Sequence, residues 1–71
     1  MQIKQVTSAF TTLHVKAQAK ALAASHCFTV KRDIDAGTWE ASHNRLNRVI
    51  WRAIEKTPGT WLVTKPADLF Q

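Results

Sequence analysis

The sequence predicts an α+β fold: one helix packed on an antiparallel β-sheet of four to five strands, in a single small basic domain covering residues 1-71. An alanine-rich stretch early in the chain has helical periodicity. Two later segments, running from Arg32 to Trp39 and from Arg52 to Trp61, each place a turn before Gly-Thr-Trp. Around those turns, β-branched and aromatic residues dominate, as they do in half-buried strands. A chain of 71 residues buries only about 60% of the surface its unfolded form exposes, which leaves no volume for a deep substrate cleft.

Ile3 to Val6 reads as a short first strand. From Ser8 to Ser25 the chain reads as a helix, with Ser8 as N-cap and Phe10, Leu13, Ala17, Ala21 and Ala24 recurring at three- and four-residue steps. Thr11, Thr12 and Val15 also fit a strand over 11 to 16, so the helical signal is clearest from Lys16 onward. Phe28 and Val30 then alternate with Thr29 and Lys31. Asp35-Ala36-Gly37 supplies a loop with glycine where a left-handed residue is needed, and Trp39 and Ala41 alternate after it. That is a hairpin.

The segment from Arg45 to Glu55 fits two templates. Leu46, Val49, Ile50, Ala53 and Ile54 match a helix, whereas Val49, Trp51 and Ala53 alternate as a strand. Its β-branched content and the regular spacing of turns favour the strand; the alternative is that residues 44-56 form a second helix. Pro58-Gly59 marks a turn whose type II geometry suits a tight hairpin poorly, so a slightly longer loop is expected there. Trp61 to Thr64 reads as the last strand, stopped by Pro66, with Ala67 to Gln71 as a tail.

Charge is the most informative total. The chain carries a formal charge of +5, enough to steer it toward polyanions. Lys4, Lys16, Lys20, Lys31 and Arg32 precede the first acidic residue, Asp33. Asp33, Asp35 and Glu40 follow, and then a second basic block of Arg45, Arg48, Arg52 and Lys56 against Glu55. The expectation is one basic patch from Lys16, Lys20, Lys31 and Arg32, and another formed or extended by Arg45, Arg48 and Arg52.

Residues for catalysis are sparse. His14, His26, Cys27 and His43 have no metal-ligand spacing, so no metal and no cofactor is expected. Cys27 has no motif that would place a histidine base beside it, and reads as a buried structural cysteine at the helix-to-strand junction. Asp33 and Asp35 flank a turn and read as turn formers. With two glycines in the chain there is no phosphate-cradling loop. Trp39, Trp51 and Trp61 read as core, the alternative being that one stacks on bases or fills a partner's pocket. A helix-turn-helix over Gln18 to Gly37 fails at Asp33, which falls where its second helix must be apolar. A single cysteine and the lack of any long apolar run point to a reducing, cytoplasmic setting and away from membranes.

Gln18-Ala19-Lys20, Leu22-Ala23, Cys27-Phe28, Thr29-Val30, Arg32 and Gly37-Thr38-Trp39 together resemble part of a small phage-encoded anti-CRISPR family acting on type I-F surveillance complexes. The resemblance implies strand, strand, helix and then an antiparallel meander. It also implies an inhibitor that binds the RNA-holding backbone subunits and blocks guide–target pairing, with positive charge holding DNA non-specifically. The chain departs from the family where a second basic residue would follow Lys20, since Ala21 stands there, and it runs on past the family's usual end through Ile54 to Lys65.

The function expected is thus a non-enzymatic binding protein of phage or mobile-element type, occluding a nucleic-acid-handling complex through its basic patches. The partner is a nucleoprotein complex or nucleic acid, or a protein with an anionic surface. A small DNA-binding transcriptional regulator is the second reading and a small basic ribonuclease toxin the third. An exposed edge strand in so small a sheet is also able to pair with a second copy, making a homodimer.

Overall fold

The computed structural model describes residues 4–69. Its order is β1 (Gln5–Thr11), α1 (Thr12–Ala24), β2 (Phe28–Asp33), β3 (Thr38–His43), β4 (Arg48–Thr57) and β5 (Thr60–Pro66). The strands form one antiparallel sheet in the order β1-β5-β4-β3-β2, with α1 crossing one face from the β1 edge to the β2 edge. This is the α+β architecture the periodicities predict, and residues 48 to 57 are strand and not helix. Ile3, where the first strand was expected to begin, lies outside the described residues. Among the described residues one strand precedes the helix, where the anti-CRISPR resemblance implies two.

The first strand runs longer than the sequence suggests and the helix starts later. Ser8 and Phe10 belong to β1, and the N-cap is Thr11, whose Oγ1 accepts a hydrogen bond from the His14 N–H at 3.3 Å. This moves the buried stripe. Val15, Ala19 and Leu22 face the sheet, while Leu13 is 79% exposed and Ala17, Ala21 and Ala24 face solvent. Alanine suits either face because it favours helix and buries little, so its spacing carries no information about which side packs. Two indoles pin the helix down: Trp51 Nε1–H donates to Gln18 Oε1 (3.0 Å) and Trp61 Nε1–H to Thr12 Oγ1 (2.9 Å).

The helix-facing layer alternates large and small side chains. Trp39 on β3 lies opposite Ala53 on β4, and Ala41 on β3 lies opposite Trp51. Trp39 and Trp51 therefore each have an alanine beside them, which makes room for the helix. Ala41, Trp51, Ala53, Trp61 and Val63 are buried with the helix stripe, and Phe10, Phe28, Val30 and Trp39 pack round them. All three tryptophans thus belong to the core, as expected.

The turns between β2 and β3 and between β4 and β5 rest on glycines at positive φ, Gly37 (67°) and Gly59 (86°). The second is tighter than predicted. Pro58-Gly59 alone joins the strands, with Thr57 opposite Thr60, and a register shift between Glu55 and Thr57 absorbs the misfit. A bulge supplies extra twist where a type II turn would otherwise splay the strands. A second shift, between Ala41 and Ser42, turns both Val49 and Ile50 to the face away from the helix.

Candidate anion-docking interface

The fold separates the cationic residues that the sequence groups together. Arg52 lies on the sheet face away from the helix, where Nε and Nη2 both donate to Glu40 Oε2 (3.1 and 2.8 Å). Arg32 turns to the helix side, its guanidinium 5.4 Å from the Trp39 ring and 5.2 Å from the Trp61 ring. Its Nη1 also donates to the carbonyls of Thr38 (2.9 Å) and Asp33 (3.2 Å). Both arginines are engaged in holding the fold. Lys31 pairs in register with Glu40 on the face away from the helix, whereas Lys16 and Lys20 are exposed on α1. The expected patch of Lys16, Lys20, Lys31 and Arg32 is therefore not one surface.

A different grouping replaces it. Because each element reverses the direction of the last, the starts of β1, β2 and β4 and the ends of α1, β3 and β5 meet at one end of the sheet. Lys4, His26, His43, Arg45, Arg48 and Lys65 lie there, with Asp68, and Lys20 approaches it along the last two turns of α1. Asp33, Asp35 and Glu55 lie at the opposite end, with Arg32 and Lys56 among them. Lys4 and Lys65 were missed as candidates because their only link to Arg48 is the ladder, which joins residues far apart in sequence.

At the basic end the turn between β3 and β4 is held in place by its own hydrogen bonds. Asn44 N–H donates to the Cys27 carbonyl (2.8 Å), Asn44 Nδ2 to the His26 carbonyl (3.0 Å), and Thr29 Oγ1 to Asn44 Oδ1 (2.6 Å). His43 Nδ1 accepts from the N–H groups of both Arg45 and Leu46 (3.2 Å each), and its ring meets Phe28 edge-on at 5.2 Å. Asn47 N–H donates to the His43 carbonyl (2.7 Å), and Asn47 takes the positive φ (54°) that this residue type tolerates. The clamped turn presents Arg45 and Arg48 with Leu46 (53% exposed) between them and Val49 (44%) next in line. Arginines beside exposed aliphatic groups are the composition of a protein-docking centre more than of a purely phosphate-binding one.

Cys27 corrects an expectation: it is exposed, not buried. The junction residues Ser25 to Cys27 run outside the core, with Cys27 N–H donating to Ser25 Oγ (3.2 Å). Among the described residues no three histidine, cysteine or acidic side chains converge on a metal-sized site, and no helix is long and apolar enough to cross a membrane. No family model, curated protein or solved structure matches the chain.

Proposed function

We propose that this chain is a non-enzymatic cytoplasmic binding protein that docks through the clamped turn at residues 44 to 48 onto an anionic surface of a nucleic-acid-handling complex. It acts by occlusion: Arg45 and Arg48 occupy positions where phosphates or carboxylates would otherwise lie, with Lys20 on α1 adding positive charge. The observation that carries this reading is the ordered turn that places Leu46 and two arginines, without an acidic partner among the described residues, at the more basic end of the molecule. Order matters because a rigid presenting loop loses little entropy on binding. The resemblance at Gln18 to Trp39 makes a type I-F surveillance complex the target class to try first, and an inhibitor of phage type the role.

Leu46 and Val49 favour a protein-containing target over bare duplex. With Lys20, Arg45 and Arg48 on phosphates, DNA binding would weaken about 40-fold between 50 and 200 mM salt. A docked protein surface with Leu46 at its centre loses much less. The test is titration against a labelled 20-base-pair duplex at those salt concentrations, together with capture from bacterial lysate with and without nuclease. Each is run with the wild type and with Arg45→Glu/Arg48→Glu. A nucleoprotein complex that survives nuclease and is lost with the double variant is the expected outcome. Retention by the variant refutes the turn as the interface, and tight, steeply salt-dependent duplex binding favours the transcriptional regulator instead.

A further inference from the structure

The two edges of the sheet differ in a way that points to a partner. Strand β2, at one edge, carries Lys31, Arg32 and Asp33, and charges of this kind discourage strand addition. Strand β1, at the other, has no charged residue over Gln5–Thr11 and is exposed along most of its length. It also has no proline and no bulge in its pairing with β5. Such an edge is a template for another strand.

The hydrogen-bond parity of β1 says which groups are on offer. Ala67 N–H donates to the Lys4 carbonyl (2.9 Å) and Thr12 N–H to the Gly59 carbonyl (3.3 Å). In an antiparallel ladder every second residue bonds a given neighbour, so the even-numbered residues Val6, Ser8 and Phe10 are spent on β5. The N–H and C=O groups of Gln5, Thr7 and Ala9 therefore point outward.

We infer that β1 pairs antiparallel with β1 of a second copy of this chain, about a two-fold axis at Ser8, to make a continuous ten-stranded sheet. In that register Thr7 exchanges both backbone hydrogen bonds with the partner's Ala9, and Gln5 faces the partner's Thr11. Val6 lies beside the partner's Phe10 on the helix side. The strand is self-complementary: only small polar or apolar side chains meet, and no like charges oppose one another. A groove lined by Phe10, His14, Ala17, Gln18, Ala21 and Lys65 runs along the helix side of this edge and is brought against its own symmetry mate. Asp33, Asp35, Arg45 and Arg48 stay clear of the seam: they belong to β2, β3, β4 and their turns, two to four strands from β1. The two-fold register, in which every outward backbone group of Gln5, Thr7 and Ala9 meets its counterpart and no charge falls on either strand, selects a second copy over an unrelated strand.

The experiment is sedimentation equilibrium over about 1 µM to 1 mM, where mass action drives a reversible pair together. The wild-type mass should rise from 8.0 kDa toward twice that value. Ala9→Pro removes only an outward N–H and an exposed methyl, so it should leave a folded monomer at all concentrations; Ala9→Lys, which sets charge on the edge, should do the same if proline disturbs the strand. In a non-hydrogen-bonded pair the Ser8 Cα atoms would lie about 4.5 Å apart, within disulfide range. Ser8→Cys in a Cys27→Ser background should therefore oxidise to a covalent dimer. A wild-type protein that stays monomeric throughout overturns the inference. So does a dimer that persists in both Ala9 variants, or a Ser8→Cys protein that fails to cross-link under conditions where the wild type is dimeric.

Discussion

Replacing Arg32 with alanine separates a structural arginine from a binding one. The side chain bridges Trp39 on β3 and Trp61 on β5, with its charge 5.4 and 5.2 Å from the ring centres. At an exposed site each such contact contributes about 0.5–1 kcal/mol. The donation from Nη1 to the Thr38 carbonyl at 2.9 Å adds about 1 kcal/mol, the usual net value of a hydrogen bond in water. Subtracting the entropy of holding a long side chain leaves a loss of about 1 kcal/mol on truncation. With a urea slope near 1 kcal/mol/M for so small a chain, the unfolding midpoint should fall by about 1 M, followed by tryptophan fluorescence. Arg32→Lys keeps the charge but not the planar fork, and should lose about half as much. Binding to any target of the basic end should be unaffected in the folded fraction. An Arg32→Ala protein with an unchanged midpoint and binding as weak as that of Arg45→Glu/Arg48→Glu would refute this assignment and return Arg32 to the interface.

Other perturbations follow from the same packing. Gln18→Leu leaves the Trp51 indole N–H without its acceptor on the helix and should cost about 1–3 kcal/mol in urea unfolding, and its cost should be smaller when measured in a Trp51→Phe background, where no N–H is left unsatisfied. Ala53→Leu overfills the fully buried gap between Trp39 on β3 and Val63 on β5, and should destabilise by about 1–3 kcal/mol despite being more hydrophobic. Cys27 should react with a thiol reagent in the native protein nearly as fast as in urea; strong native protection would contradict its exposure.

Local chemistry made much of the architecture readable in advance. The turns at Gly37 and Gly59 each need a left-handed backbone, and residues that supply it stand between alternating hydrophobic runs. The β-branched content of residues 48 to 57 separated strand from helix for a segment whose spacing allowed both. The helix was legible in its existence and not in its face. Alanines at 17, 21 and 24 repeat at the same steps as the packed residues Val15, Ala19 and Leu22, and only contact with Trp51 and Val63 decides between the two stripes. The start of α1 was misplaced for a related reason: Ser8 and Thr11 are both competent caps, and the choice was made by β1 pairing with β5 through Thr11 opposite Thr60.

By itself the sequence determined a basic α+β miniature with one helix, glycine-centred hairpins and a tryptophan core, because turn conformations and side-chain periodicity act within a few residues. The tertiary structure alone decided which cations are available. Arg48 and Arg52 sit one helical-looking step apart in the chain, yet Arg52 is bound to Glu40 across the ladder and Arg48 opens beside the clamped turn. Engagement of a charge depends on what the sheet places opposite it, and that partner comes from another strand. The same holds for β1. Its lack of charge was always visible, but that it forms an edge follows only from where the other four strands lie.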